Sequence, residues 1–376
     1  MNDDPVLITG ATGFLGGFLA GELVRRGKRT FLAAGPQAGA VDRIRRLLEF
    51  LDVTPKYSPK VFSSDITKPG LGLCPEDARA LDTIREVIHC AALTSFSHRE
   101  RARLEAVNID GTANILDAVP ACRRFYHMST AYVAGKASGT CMEEPVSTRC
   151  FNNHYEATKK KAEDVAMHVC QGRNIDLTIF RPSITCGDSR TGRSTRFNAL
   201  YYPVRVMLFL RDTIRKDILE RDGSRAYSLG ASMDPSGRVR LPVSLPGAGR
   251  INVIPVNYLV QAVIAVMESG ATGIFHLVNP RENTVGELAS FTEDFYGITG
   301  ISISRELEAD GPLQALVNSY MKVYYPYFCD GRSFDRKRSD RVLLNEGLVC
   351  PSLNREVFKV CMDFAIEMDW GARTEF

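Results

Sequence analysis

Hydrophobic and polar positions follow two alternating periods along the first half of the chain. Short apolar runs of strand length give way to longer stretches with apolar residues at helical spacing. The first run is Val6-Leu7-Ile8, and Phe18, Leu19, Leu23 and Val24 continue beyond it at helical spacing. Between them lies Thr9-Gly10-Ala11-Thr12-Gly13-Phe14-Leu15-Gly16, which reads as a buried strand entering a tight turn and leaving as a helix. Further strands are expected at residues 28–34, 60–64, 86–92 and 124–129. Helical patterns fall at residues 41–48, at 101–119 with an interruption at Gly111, and from Tyr155 to His168. This alternation predicts an α/β fold, a doubly wound parallel sheet covered on both faces.

The glycine turn is the first stretch with chemistry in it. Gly10 permits the turn, Gly13 lets the backbone approach a pyrophosphate, and Gly16 lets helix and strand pack closely. The helix N-terminus supplies free N–H groups and positive potential. Thr12, Phe14 and Leu15 belong to the same expected binding surface. The G-x-x-G-x-x-G spacing differs from G-x-G-x-x-G, and a glycine-rich loop without ligand is the plainer alternative. The second strand ends Ala33-Ala34-Gly35 with no acid to hold a ribose 2′-hydroxyl. Arg43, on the basic face of the next helix, is the candidate for a 2′-phosphate, against the alternative of a solvated charged face. NADP is therefore the expected cofactor, with NAD possible. The small residues Ala91 and Ala92 leave space for a ligand at the end of the fourth strand. Asn108 is expected to make a structural hydrogen bond.

Composition narrows the picture. The chain has 376 residues, enough for a nucleotide-binding domain and a second lobe, and is 44% hydrophobic and 24% charged. Its net charge of +3 is too small to argue for nucleic acid or a membrane surface. Six histidines and ten cysteines show no metal-ligand spacing, and with no signal peptide at Met1-Asn2-Asp3-Asp4-Pro5 the cysteines read as reduced thiols of a cytoplasmic protein. The longest apolar run, Ala199 to Leu210, contains Pro203 and Arg205 and falls short of the ~20 residues of a membrane span. It reads as a core helix or as the wall of a substrate channel, with Leu208 named as a wall residue.

The chemistry-bearing pair is Tyr155 and Lys159, one helical turn apart on one face. A phenol with a pKa near ~10 is a poor acid–base at neutral pH. An ammonium one turn away is expected to favour the phenolate and lower that value. Such a pair can donate a proton to a carbonyl oxygen as hydride arrives at carbon, or run the reverse.

Gly10-x-x-Gly13-x-x-Gly16, Asp65, Ala91-Ala92, Thr130, Tyr155-x-x-x-Lys159 and Arg181-Pro182-Ser183 stand in the order of the extended short-chain dehydrogenase/reductase superfamily. The resemblance covers roughly residues 5–285. Within that superfamily the chain looks most like the thioester-reductase and fatty acyl-CoA reductase branch. The phrases that carry this are the glycine turn, Asp65 to Leu73, His127 to Gly135 and Arg181 to Gly192. The resemblance implies an active site of Thr130, Tyr155 and Lys159 and a nicotinamide beside Pro182, Ser183 and Ile184. It places Asp65 and Ile66 near the adenine and Lys159 on the nicotinamide ribose. One departure stands out: branch members usually carry an arginine directly after the second strand, where this chain has Ala34, and Arg43 matches a second family arginine.

Beyond Arg181 the alternation loosens, then a strand at residues 251–256 and a helix at 257–269 resemble a return to the first domain. The expected division is a dinucleotide-binding domain, 1–185 with 251–279, and an interleaved substrate lobe, 186–250 and 280–376. The expected function is NAD(P)H-dependent reduction of an acyl thioester to aldehyde or alcohol. The acyl group would arrive on coenzyme A or on a carrier protein supplied in trans. A ketone/alcohol oxidoreductase or epimerase of the same superfamily uses the same residues, and a non-catalytic dinucleotide-binding sensor is the alternative of another class. No nucleic-acid partner, metal or transmembrane segment is expected, and the oligomeric state is left open.

Overall fold

The computed structural model describes residues 5–247, 249–304 and 311–373. The first four residues, on which the absence of a signal peptide was read, lie outside them, as do parts of the expected second lobe. Seven strands form one parallel sheet: β1 Val6–Thr9, β2 Thr30–Ala34, β3 Lys60–Ser63, β4 Glu86–His89, β5 Arg124–Met128, β6 Asp176–Pro182 and β7 Gly273–Leu277. Their spatial order is β3-β2-β1-β4-β5-β6-β7. Strand order reverses between β1 and β4, which opens a crevice beyond their carboxyl ends. The strands are nearly all buried because helices cover both faces. On one face Leu19, Leu23, Ile44 and Leu47 pack with Val6, Ile8 and the helix Val256–Ser269. On the other, Leu7, Phe62 and Val87 meet Ile115, Leu116 and Cys170. The α/β doubly wound parallel sheet expected from the alternating periods is the observed architecture.

The helical stretch from Arg101 to Ala118 is not broken at Gly111. It passes through a π turn over Ala106–Asp110 and continues. Gly111 serves close packing: a Cβ there would lie 2.7 Å from Ile66 Cδ1.

A second apolar core lies beside the sheet. The strands Val239–Pro246 and Ile298–Ser304 pair in parallel, with the helices Tyr201–Glu220, Val285–Tyr296, Pro312–Met321 and Arg355–Glu367 around them. The chain crosses between the two cores where Ile184–Cys186 pairs with Val253–Pro255. It also returns where the sequence pattern gave no sign of it. Ser333–Phe334 pairs with Thr140–Cys141, and Leu343 and Cys350 join the core of the sheet. The segment around Lys337–Leu343, expected in the second lobe, therefore packs on the sheet, because its apolar residues complete the surface of the helix Val256–Ser269. Among the described residues no helix is long and apolar enough to cross a membrane.

Candidate active site

The glycine turn is shaped by contacts that only glycine tolerates. Gly10 has φ +68°, and a Cβ on it would sit 2.8 Å from Ala91 Cα. A Cβ on Gly16 would lie 2.3 Å from the Gly10 carbonyl oxygen, so this glycine lets the helix Phe14–Arg25 close onto β1. The same helix starts at Gly13 without a capping side chain and without an acid in its first turn. Its leading N–H groups are therefore available to a phosphate. Thr9 fixes the neighbouring strand end: its Oγ1 accepts from Ala91 N (3.2 Å) and bonds His89 Nδ1 (2.7 Å). Burial pushes His89 down to about 3, which makes it a neutral structural ring.

One cavity of about 590 Å³ begins at this turn and runs into the second lobe. Its walls hold Gly13, Phe14, Leu15, Gly16 and Ala92 at one end, then Thr130, Tyr155, Lys159, Pro182, Ser183 and Ile184. These predicted residues, scattered over 172 positions of sequence from Gly13 to Ile184, share one space. Gly10, Thr12, Ala91, Arg43, Asp65 and Ile66 lie around the carboxyl ends of β1 to β4 and do not line it. The Asp65 carboxylate accepts from Thr67 N (3.1 Å) and Thr67 Oγ1 (2.6 Å), which holds its pKa below the usual value. Ile66 is buried against Gly111. Arg43 folds back over the loop after β2, donating to Gly35 O (2.8 Å) and to Gln37 O (3.0 Å) and Oε1 (3.2 Å).

The central residues come from two places in the chain. Thr130 follows β5 by two residues, and its hydroxyl accepts from Tyr132 N (3.3 Å) at the start of a short helical turn. Tyr155 and Lys159 lie on the first turns of the helix His154–Arg173, whose N-cap Asn153 accepts from Glu156 N (3.0 Å). Lys159 is buried, and its Nζ donates to the Met128 carbonyl (2.7 Å). Burial lowers its pKa to about 8. The expected lowering of the Tyr155 pKa is not what the structure gives. Burial, with the Glu156 charge behind it, pushes this phenol well above its ordinary value. The ammonium that was to oppose that effect is engaged with Met128 and is itself poorly solvated. Tyr155 is thus a neutral O–H donor at physiological pH.

Asn108 bears out its structural assignment: it holds Leu93 through N (2.8 Å) and O (3.1 Å) and donates to Thr158 Oγ1 (3.0 Å). Arg181 is a buried clamp, paired with both carboxylate oxygens of Glu163 (2.9 and 2.7 Å) and donating to Glu144 O (2.9 Å). Among the described residues Cys90 is the only cysteine lining the cavity; burial holds it near 12, so it is no thiolate nucleophile.

Sequence reasoning missed what the second lobe brings. Tyr327 lines the cavity and donates to Glu156 Oε1 (2.6 Å), while Asn153 Nδ2 donates to its hydroxyl (2.6 Å). Phe96 stacks on Tyr327 (5.7 Å, 16°) and contacts the rings of Tyr155 and Tyr324. No spacing signal links positions 156 and 327; the only hint was a glutamate next to Tyr155. The far end of the cavity is apolar, walled by Val204, Met207, Leu245, Leu288, Met321 and Phe358 among others. Leu208, named from sequence as a wall residue, is buried in the second core and does not line the cavity. One helical step of about 100° turns it away from the side that Met207 occupies.

The residues fit a nicotinamide dinucleotide. The glycine cradle excludes side chains where a pyrophosphate needs backbone, and the buried hydroxyls of Ser129 and Ser183, beside Thr130 and Pro182, have no hydrogen-bond partner among the described residues.

Comparison with known proteins bears on the fold and the family. The chain is 24% identical over 95% of its length to a linear gramicidin synthase polypeptide of Brevibacillus parabrevis, of which it covers 7%. It is 26% identical over 55% of its length to fatty acyl-CoA reductase wat of Drosophila melanogaster, covering 47% of that protein. The chain thus spans less than half the length of either relative. The crystal structure of the terminal R domain from the myxalamid PKS-NRPS biosynthetic pathway superposes with a TM-score of 0.75 at 22% identity, over 99% of this chain and 92% of that one. Residues 8–263 match the NAD-binding family described as male sterility protein. With its glycine turn, its seven-stranded sheet and this match over two thirds of its length, the chain belongs to the male sterility protein family, in the thioester-reductase and fatty acyl-CoA reductase branch of the extended short-chain dehydrogenase/reductases.

Proposed function

We propose that the protein reduces an acyl thioester to the aldehyde, and in a second round to the alcohol, with a nicotinamide dinucleotide as reductant. The observation that carries this reading is the cavity itself. Thr130, Tyr155 and Lys159 stand between a turn suited to phosphate and a chamber lined by aliphatic and aromatic side chains. An acyl chain is the ligand such a chamber rewards, at about 0.8 kcal/mol per buried methylene. The names of the relatives, a fatty acyl-CoA reductase and a linear gramicidin synthase, support the same substrate class.

When bound, the reduced nicotinamide supplies hydride to the carbonyl carbon. Thr130 and Tyr155 hold the carbonyl oxygen, and their hydroxyls favour the charge that develops there. Tyr155, neutral because burial raises its pKa, gives its proton to that oxygen. The carbon–sulfur bond of the resulting hemithioacetal then breaks, the thiol leaves with a proton, and the aldehyde remains. Lys159 would bind the nicotinamide ribose, and its charge would stabilise the phenolate left behind until a proton returns to it from solvent. Pro182, Ser183 and Ile184 form the floor under the nicotinamide, with the Ser183 hydroxyl free to bond it. Asp65 and Ile66 border the adenine.

NADPH is the proposed reductant. No acid stands at the end of β2, and the Arg43 guanidinium lies over the Gly35–Gln37 loop, where a 2′-phosphate would replace its bonds to backbone and Gln37. The test is product analysis: mass spectrometry after incubation of the protein and NADPH with a panel of acyl-CoA thioesters and matched ketones. Aldehyde or alcohol from the thioesters is the expected outcome. Turnover of ketones alone would replace it with the ketone/alcohol alternative.

A further inference from the structure

The loop after β6 carries three arginines at three-residue spacing, and the structure treats them differently. Arg190 pairs with Asp188 (3.4 Å), and Arg193 pairs with Asp52. Arg196 lines the cavity, is exposed, and has no ion-pair or hydrogen-bond partner for its guanidinium among the described residues.

Its backbone, by contrast, is fixed. Arg196 N donates to Ser194 Oγ (3.2 Å), and that hydroxyl donates to the Arg196 carbonyl (2.8 Å). Ser194 is fully buried, and Phe197 on the other side is buried with its ring edge-on to Tyr201 (5.3 Å). A rigid stem thus presents a long cation that no described residue neutralises.

The charge of the cavity adds to this. Among the described residues lining it there is no aspartate or glutamate, and the only other charged residue is Lys159. Lys159 is buried, and its ammonium is bonded to the Met128 carbonyl. Arg196 is therefore the exposed cation of an otherwise uncharged entrance, with Asn198 and Thr94 as further exposed lining residues. A guanidinium offers a planar fork that matches phosphate. The dinucleotide already has the helix N-terminus at Gly13 for its pyrophosphate. The thiol portion of the substrate, which stays toward solvent while the acyl chain enters the apolar chamber, has no other cation among the described residues at this entrance.

We propose that Arg196 is the phosphate-recognition residue for the thiol portion of the substrate, binding a phosphate of coenzyme A or of a phosphopantetheine arm at the cavity rim. The proposal rests on the thioester reading and goes beyond it by naming how the thiol carrier is held. It makes recognition depend on a group far from the reacting carbonyl, so loss of the contact raises KM more than it lowers kcat.

The experiment compares the parent, Arg196→Ala and Arg196→Lys on three dodecanoyl thioesters: of coenzyme A, of phosphopantetheine, and of pantetheine, which has no phosphate. Arg196→Ala is expected to lose about tenfold more kcat/KM on the phosphorylated thioesters than on the pantetheine thioester, mainly through KM. Arg196→Lys recovers part of the loss, and added salt narrows the gap in the parent. Equal losses on the two phosphorylated thioesters place the contact on the phosphate they share, and a loss on the coenzyme A thioester alone places it on the nucleotide part; both support the proposal. An equal loss on all three, no loss on any, or a matching weakening of NADPH affinity overturns it. A parent that reduces none of the three overturns the thioester reading and this proposal with it. A parent that reduces all three and an indifferent Arg196→Ala overturn the role of the arginine alone.

Discussion

At one end of the cavity the wall is a single turn, Gly13 to Gly16, in which each residue's place follows from its neighbours. At the other end Val204, Met207, Leu245, Leu288, Met321 and Phe358 come from several separate elements and share nothing but a direction. The first end turns on two glycines, Gly13 and Gly16, with Phe14 and Leu15 between them, and its uncapped helix N-terminus leaves the backbone N–H groups open to a phosphate. The second is side chain throughout, because an apolar ligand is held by area rather than by aimed donors. The two ends therefore tolerate different kinds of change. At the glycine end one added methyl group meets backbone at 3.0 Å or less, whereas at the apolar end a change of volume should retune the fit.

Predictions that separate the ends can be ordered by size. The largest belongs to the junction between them. Tyr155→Phe should lower kcat by about 10²- to 10⁴-fold, since only the proton donor is lost. Dissociation constants for NADPH, measured by fluorescence titration, should stay close to those of the parent. Turnover within threefold of the parent would remove Tyr155 from the chemistry. Next comes the nucleotide end. Arg43→Ala should reduce the preference for NADPH over NADH by roughly ten- to a hundredfold, the worth of one charge-assisted contact. Equal affinities of the parent for the two cofactors would show that Arg43 serves only the Gly35–Gln37 loop.

A smaller effect is expected from pH. Burial holds the Lys159 pKa at about 8, below the usual lysine value, so the group is a cation below that pH and neutral above it. If its charge grips the cofactor ribose, dinucleotide affinity is full below pH 8 and falls by about fivefold as pH rises through it, the difference between a charged and a neutral hydrogen bond. Titrations between pH 6.5 and 9.5, roughly 1.5 units either side of that value, would show the step. A Lys159→Met protein that kept the same step would assign it to another group.

The two ends also differ in how far they could be read beforehand. The glycine turn and the Tyr155/Lys159 pair were legible because they sit at a strand end and a helix start, where periodicity and turn chemistry mark the position, whereas Thr130 and Pro182 to Ile184 were named only through the family resemblance. The Asn108 hydrogen bond was legible on other grounds, as a polar residue on a packed helix face. The apolar chamber was not. A channel wall and a protein core use the same residues, and one step of helix phase separates Met207 on the wall from Leu208 in the core. Tyr327 and Glu156 meet across 171 residues, a contact that only the tertiary fold creates. The Tyr155 pKa went the other way from expectation because a burial penalty depends on what covers the ring, and the residues covering it, Phe96 and those beyond it, come from elsewhere in the chain.

The central claim is that one cavity serves hydride chemistry at one end and an acyl chain at the other. It is tested most directly by kcat/KM over a series of saturated acyl-CoA thioesters, with the parent and with Met207→Ala. kcat/KM should climb by up to about fourfold for each added methylene until the chamber is full, and Met207→Ala should move the optimum to longer chains without changing NADPH affinity. A flat profile in the parent, or an unchanged optimum in a folded Met207→Ala protein, would contradict it.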